Sequence, residues 1–562
     1  MSILDWTVLL GTLFFIVAYG IWKTRGSKNI ESYLKGNNDM KWWTIGLSIM
    51  ATQASAITFL STPGQAFSDG MRFVQFYFGL PLAMVVLSIT VIPLYYRLKV
   101  YTAYEYLESR FDLKTRTLAA FLFLVQRGLA AGITIYAPAI ILSTVLGMDL
   151  FMANLLIGFL VILYTVSGGT KAVSQTQKHQ MVVIMLGMIV AFGMIIYLLP
   201  SGVGFSDALH VAGKMGKMNV IDFSFDWENR YNIWTGLLGG FFLAMSYFGT
   251  DQSQVQRYLS GRSITESRLG LLFNGLMKVP LQFFILLVGA MVFVFYQFYQ
   301  PPVFFNKAES AKVYETEYAN EFKAVEQEFE TLFVKKEAEV KSLVVAIQQN
   351  NQPLADQKAM EVNAIEEKSS ELRQEAKDII SKANPNAEAR DADYVFITFV
   401  MDYLPKGLVG LLLAVIFSAA MSSTSSELNA LASTTVIDLY KRSFRKEASE
   451  KHYLNASRWF TVGWGVLAIM FATFASMVDN LIQAVNILGS LFYGTILGIF
   501  IVAFYFKKIG SNAVFWSALF AEAVVLCLYY FDVMPYLWFN VVGCFLVLIF
   551  SYGQQTWKNL VA

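Results

Sequence analysis

The chain has 562 residues, 56% hydrophobic and only 15% charged; soluble domains carry roughly 25% charged residues, so a soluble globular protein is excluded and a polytopic membrane protein is expected. Its formal net charge of +2 points to no nucleic-acid partner. Two cysteines and three histidines make no metal-ligand spacing, and no HExxH or glycine-rich phosphate loop occurs, which argues against a hydrolase, an ATP-driven pump or any other enzyme.

Thirteen apolar segments follow one another, near 5–22, 42–66, 73–96, 118–142, 150–166, 180–200, 233–256, 270–298, 394–438, 457–478, 481–506, 511–531 and 533–552. The first is not a signal peptide: Asp5 precedes its apolar run, no basic region does, and Lys23 and Arg25 come directly after. The 394–438 run is too long for one span and should include a short outer helix. Basic residues orient the set. Alternate loops hold Lys23, Arg25, Lys28, Lys35 and Lys41, then Arg97 to Arg116, Arg257 to Arg268, Lys441 to Lys446, and Lys507 with Lys508; the other short loops hold only Arg72, Lys214, Lys217 and Arg230. The positive-inside rule then puts the N-terminus outside and the C-terminus in the cytoplasm, most simply of a bacterial inner membrane.

Two apolar runs are interrupted at corresponding places. ATQASAITFLSTPGQAFSDG (51–70) carries Thr, Ser and Gln residues with Pro63 and Gly64, and MSYFGTDQSQVQRYLSGRS (245–263) carries Gly249, Thr250 and Asp251. They lie five spans apart, which suits two inverted five-helix halves preceded by one extra helix. Such breaks are tolerated in lipid only where they are buried or line a cavity; a plain kink is the alternative. Arg127 and Lys278 sit inside apolar runs and each needs a partner or a cavity. An ion pair of Glu427 with either of them is the packing-only reading. Asp251 and Arg257, near the cytoplasmic end, read as structural.

Residues 306–392 depart from the rest, being rich in Glu, Lys, Ala and Gln. Phe322, Phe329, Phe333, Val340 and Ile347 recur as a helical stripe, and Asn350 to Pro353 reads as a turn before a second helix over about 354–383. An external antiparallel hairpin is expected, its stripe serving as its own packing seam.

Further on, SAAMSSTSSELNALASTTVIDLY (418–440) places Ala419, Ser422, Ser423 and Ser426 on one helical face, with Ser425 beside them. Hydroxyls clustered at bilayer depth can replace the water shell of a small hard cation. The bland alternative is close helix packing, or bonding back to the i−4 carbonyls.

Taken together, WWTIGLSIMATQAS, TVSGGTKAVSQTQKHQ, YFGTDQSQVQRYLSGRS and MSSTSSELNALASTTVIDLY resemble the sodium/solute symporter family, which includes bacterial sodium/galactose, sialic acid and proline carriers and animal sodium/glucose and sodium/iodide carriers. The resemblance covers the chain except for 306–392. It implies an all-α, LeuT-like fold of about thirteen helices with a five-plus-five inverted repeat. The bundle would be split into 1–305 and 393–562 around the extracytoplasmic hairpin insert 306–392. It implies a sodium site made of Ala51, Ala54, Ala419, Ser422 and Ser423. A second cation site, present in some members, would use Ser425 and Ser426, but its carboxylate is replaced here by Gln177, with Lys178 alongside. One sodium per cycle is therefore expected. The solute pocket implied is Gln53, Thr58, Phe76, Tyr77, Arg127, Tyr247 and Lys278, with Tyr247 as inner gate. Tyr77 replaces a glutamate that galactose needs and Ala244 an asparagine, which disfavours a sugar. Arg127 lies near an arginine that holds the substrate carboxylate in the sialic acid carrier, favouring an organic anion or zwitterion. The function implied is sodium-coupled symport of a small organic solute by alternating access. The alternatives are a transporter-derived sensor, a proton-coupled carrier or a passive one. No protein partner for the hairpin is implied.

Overall fold

Two helices stop and restart in the middle of the bundle, and the rest of the architecture positions those two breaks. The computed structural model describes residues 1–24, 39–226, 229–385, 391–473 and 480–561. The basic positions Arg25, Lys28 and Lys35 lie outside the described residues. Helix α1 (Ile3–Thr24) precedes the first broken pair, α2 (Trp42–Gln53) and α3 (Ala56–Asp69). A 3-10 turn (Gly70–Tyr77) leads to α4 (Leu80–Leu98), short α5 (Glu105–Arg110) and α6 (Leu113–Leu146). The stretch α7 (Leu150–Tyr197) is helical throughout, yet the Tyr164 hydroxyl lies 2.6 Å from that of Thr176, twelve residues on. Along a straight helix they would be about 18 Å apart. The stretch therefore folds back on itself and supplies two passes.

After the short α8 (Phe205–Lys214), a π turn (Thr235–Gly239) opens α9 (Gly240–Gly249), which is followed across a break by α10 (Gln252–Leu259). Then come α11 (Ile264–Phe298), α12 (Lys307–Val313), α13 (Ala319–Gln348) and α14 (Gln352–Ala383), a 3-10 turn (Ala392–Tyr394), and α15 (Val395–Tyr403). The serine-bearing α16 (Leu408–Thr434) continues into a π segment (Thr435–Phe444), and α17 (Glu450–Ala472), α18 (Leu481–Tyr505), α19 (Ser511–Tyr530) and α20 (Leu537–Val561) complete the chain. The long apolar run of 394–438 thus resolves into α15 and α16. No strand occurs among the described residues, only one isolated bridge between Met40 and Gly261. Eight of the described helical stretches are long and apolar enough to cross a membrane, and three shorter ones are apolar too.

The first break lies upstream of where the proline suggests. Ala54 (φ −85°, ψ 74°) and Ser55 (φ −74°, ψ 174°) leave the helix, while Pro63 sits inside α3. Pro63 and Gly64 serve packing instead: Gly289 of α11 lies against Pro63, and a Cβ on Gly64 would fall 1.9 Å from the Ala392 carbonyl oxygen. At the second break Thr250 and Asp251 are non-helical, and the Asp251 carboxylate caps α10 by accepting from the Ser253 amide at 2.9 Å.

The helices α13 and α14 pair Lys336 with Glu366 (3.1 Å) and Lys358 with Glu339 (2.8 Å). Rising numbers on one helix meet falling numbers on the other, so the two run antiparallel. Phe322, Phe329, Phe333 and Val340 are buried along this unit.

Candidate cation and solute site

The last carbonyls of a helix have no intrahelical partner. At the end of α2 the Ala51 carbonyl meets α16. The Ser422 hydroxyl donates to the Ala51 carbonyl at 3.0 Å, joining residues of two different helices. Ser423 donates to the Ala419 carbonyl at 3.0 Å. Ala51, Ala54, Ala419, Ser422 and Ser423 are all buried. Ser422 thus ties the first break to the serine-bearing helix, while the Ser423 bond stays within α16. Serine back-bonding occurs as well: Ser425 and Ser426 both donate to the Ser422 carbonyl, at 3.1 and 2.9 Å. Ser423, Ser425 and Ser426 thus all bond back within α16, as the packing reading expects, while Ser422 reaches across to Ala51.

Gln177 lies beside this place, fully buried. Its amide nitrogen donates to the hydroxyls of Ser426 (2.8 Å) and Thr52 (3.0 Å) and to the Ser422 carbonyl (3.2 Å), while its oxygen accepts from the Ser48 hydroxyl. An NH2 group thus faces three oxygens that could otherwise serve a cation. Thr52 and Ser48 are members of this cluster that reasoning from sequence missed. Their spacing on α2, one turn apart on the side of Gln177, was the only available signal.

The first break also opens on a narrow cleft of about 80 Å³, smaller than the roughly 300–1,000 Å³ usual for small-molecule sites. Gln53, Thr58, Phe76, Tyr77, Arg127 and Tyr247 all line it. Ser55, Asn486 and Tyr493 line it too and were not anticipated; Asn486 and Tyr493 belong to α18, whose apolar pattern marks a span but not which face meets a cavity. The Gln53 amide oxygen and the Asn486 amide nitrogen have no hydrogen-bond partner among the described residues.

Arg127 forms the floor. Its guanidinium donates to Asp251 (Nε at 3.1 Å, with a closer contact from Nη2), to Glu427 (3.1 Å) and to the Tyr493 hydroxyl, and it stands 5.3 Å from the Tyr247 ring centroid. Tyr493 in turn donates to Asp251 at 2.8 Å. Asp251 is therefore a partner of a cavity residue, where the sequence suggested a structural residue near the membrane edge. Of the two pairs proposed for Glu427, the one with Arg127 forms. Arg257 bonds to Ser174 (3.0 Å) and to the Ser253 carbonyl (3.3 Å).

Lys278 is not among the residues lining the cleft. It lies behind Tyr77, its ammonium 5.5 Å from that ring's centroid, fully buried and without a hydrogen-bond partner among the described residues. In the second break the freed carbonyls are taken by phenols, Tyr95 on Gly249 and Tyr104 on Thr250, both at 2.9 Å. The two breaks are therefore chemically unlike: one faces hydroxyls and a cavity, the other is capped by tyrosines.

A family model described as the sodium:solute symporter family matches residues 33–320 and 378–521. Human sodium-coupled monocarboxylate transporter 1 is 28% identical over 499 residues, 88% of this chain and 68% of that protein. The sodium/sialic acid symporter NanT of Aliivibrio fischeri is 24% identical over 555 residues, 98% of this chain and 92% of that one. The human sodium/iodide cotransporter is 32% identical over 295 residues; that match spans 52% of this chain and only 45% of the cotransporter's length. Among solved structures, a sodium-coupled sialic acid symporter in its substrate-bound outward-open state superposes with a TM-score of 0.76 over 99% of this chain and 98% of that one. At 21% identity that likeness speaks for the fold, which is LeuT-like and all-helical.

Proposed function

This multi-pass membrane protein belongs to the sodium:solute symporter family, a family of sodium-coupled transporters and not of enzymes, and on that premise we propose that it carries a small organic anion or zwitterion inward with one sodium per cycle. The observation that supports the reading is that one break borders both candidate sites. Ala51 on one side of it meets Ser422, and Gln53 and Thr58 on either side of it line the cleft. A cation drawn to the Ala51, Ala54, Ala419, Ser422 and Ser423 oxygens would pull α2 against α16 and so order the wall the solute binds. That is a coupling free energy between two sites, reciprocal by necessity.

A single cation per cycle is favoured by Gln177, whose amide nitrogen already satisfies Ser426 and Thr52. Lys278, a buried ammonium without a hydrogen-bonding partner among the described residues, stands behind Tyr77 of the cleft wall, and a solute carboxylate would meet it if that ring moved aside. Arg127, by contrast, is already engaged by two carboxylates. The relatives named for monocarboxylates and sialic acid lean the same way. Tyr247, stacked toward Arg127 and held by Gln254 at 2.6 Å, is the proposed inner gate.

We place the N-terminus outside. The basic residues Arg110, Arg116 and Arg442 converge at one end through bonds to Phe506, Asp438 and Glu108, while Asp5 meets Gly407 and Gly410 at the start of α16. The insert then lies outside the cell. Driving force is adequate: a potential of roughly 150 mV supplies about 3.5 kcal/mol per charge, and a tenfold sodium gradient about 1.4 kcal/mol more.

The test is uptake by purified protein in sealed vesicles, with sodium, potassium or a pH gradient imposed, against panels of carboxylates, amino acids and sugars. Sodium-dependent accumulation of a carboxylate is expected. Flux that ignores sodium and follows pH would turn the reading to proton coupling, flux without accumulation to a passive carrier, and binding without flux to a sensor.

A further inference from the structure

The segment 321–377 falls between the two stretches matched by the family model, so nothing about the family explains what the α13–α14 hairpin does. Besides apolar packing on the bundle through residues such as Val340, Leu343 and Val362, it is held by polar contacts at both ends. At its base, Arg373 donates to the Asp391 carboxylate at 2.7 Å and to the Pro302 carbonyl at 3.2 Å, and its guanidinium lies 4.7 Å from the Phe305 ring centroid. Lys377 adds a second cation to Asp391 at 3.3 Å, and the buried Asp391 also accepts from the Phe305 amide at 2.8 Å. An acceptor shared by a guanidinium, an ammonium and an amide has one position.

Asp391 opens the turn Ala392–Tyr394, and that turn closes the first broken helix. The Ala392 carbonyl packs so near Gly64 of α3 that any Cβ there would collide with it. Asp393 accepts from the Leu481 amide at the start of α18 (3.4 Å), and beside it Gln483 of α18 donates to Gln65 of α3 at 3.1 Å. The turn, α3 and α18 thus meet over the cleft on the side of the insert.

The far end of the hairpin reaches the same helix by another route. Gln348 bonds to the Gly202 carbonyl (2.8 Å) and Asp207 (3.0 Å), and Lys214 of α8 bonds to Asp356 and Gln352. Just beyond α8, Lys217 accepts from the Met71 amide through its carbonyl (3.0 Å) and bonds to the Ser68 carbonyl through its ammonium. Both ends of the hairpin therefore hold elements that grip the outer half of α3.

We infer that the hairpin is a brace on the outer gate, and that Arg373, through Asp391, is a positioning residue that holds the Ala392–Tyr394 turn in its seat on α3 and α18. This rests on the inward-symport reading above, with solute admitted from outside where α3 and that turn part. Weakening the brace then favours the state open on the hairpin side.

The experiment uses the full chain with Cys527→Ser and Cys544→Ala and one cysteine placed at Thr58 in the cleft. A membrane-impermeant thiol reagent is applied from the hairpin side, and its reaction rate is compared among Arg373→Ala, Arg373→Lys and the parent. Arg373→Ala is expected to react about tenfold faster and Arg373→Lys to fall between. Lys341→Ala, which removes only an exposed pair within the hairpin, is expected to leave the rate unchanged. Equal rates for Arg373→Ala and the parent overturn the inference, as does an equal increase with Lys341→Ala. Should Arg373→Ala not fold, Gly64→Ala disturbs the same seat from the α3 side, and a rate equal to the parent's there overturns it equally. Because labelling needs no cargo, a failure to transport leaves this result intact, and the two ideas fail separately.

Discussion

The amide nitrogen of Gln177 lies 2.8 Å from the hydroxyl of Ser426, a residue 249 positions later in the chain. The same nitrogen reaches Thr52 and the Ser422 carbonyl, so an uncharged donor is bonded to one of the hydroxyls expected of a second cation site. Replacing it by a carboxylate in Gln177→Asp should turn these oxygens into a cation site. An unpaired buried carboxylate is costly, so the variant is expected to lose thermal stability in potassium and regain it in sodium. Its uptake should depend on sodium with a Hill coefficient rising from about 1 toward 2. A coefficient and a stability indifferent to sodium would show that the amide is mere packing.

Ser423→Ala removes a hydroxyl from the proposed sodium cradle while sparing the contact between Ser422 and Ala51. The sodium concentration for half-maximal uptake is expected to rise about tenfold, equivalent to about 1.4 kcal/mol. Unchanged sodium dependence would leave Ser423 outside the site, with its bond to Ala419 serving only α16.

Arg127→Ala strands Asp251 and Glu427 without their shared guanidinium. Breaking a buried ion pair by removing one partner costs about 3–5 kcal/mol. The variant should unfold at markedly lower temperature in detergent, and Arg127→Lys, which lacks the planar fork that meets Asp251 through two nitrogens while reaching Glu427 with a third, should recover only part of the loss. A melting temperature equal to the parent's would mean that the network contributes little.

Lys278→Met behaves in the opposite way if the ammonium awaits a solute carboxylate. Replacing an unpaired buried charge by an apolar side chain of similar length should leave thermal stability unchanged or higher, while uptake of carboxylate solutes falls by at least tenfold. Undiminished uptake of a carboxylate would remove Lys278 from the solute site.

At the opposite end from the insert, Glu108 on α5 is bonded by Arg442 and also by Arg116 at 2.7 Å, and the Arg442 bonds first, then Arg116, hold its carboxyl below its ordinary value of 4.5. A lowered value in the folded state means stabilisation that is complete above the ordinary value and lost as pH falls through the lowered one. The parent should therefore exceed Glu108→Gln in melting temperature at neutral pH, and the gap should close as pH falls below 4.5 and through the lowered value. A gap that is constant with pH would assign the difference to packing.

Much of this molecule is written locally. Apolar runs interrupted by Gly249–Asp251, and serines recurring at three and four residues from Ala419, are patterns within one segment, and periodicity alone carries them to the correct face. The position of the first break was less legible. Pro63 drew attention, yet the chain leaves its helix at Ala54 and Ser55, because proline within a membrane helix can be accommodated by neighbours such as Gly289.

What the sequence by itself determined is the solvent this chain lives in, the presence of two interrupted helices, and a row of buried hydroxyls on one of the helices facing the first break, since each depends on residues a turn or two apart. Only the tertiary structure decided that Arg127 takes both Asp251 and Glu427, that Lys278 stands behind Tyr77, that Gln177 reaches Ser426, and that Arg373 holds Asp391 beside the gate. The first three join residues that lie far apart in the chain, and the fourth joins the hairpin to the bundle. In every case a buried charge or amide has several chemically equivalent partners to choose from, and only packing determines which one it meets.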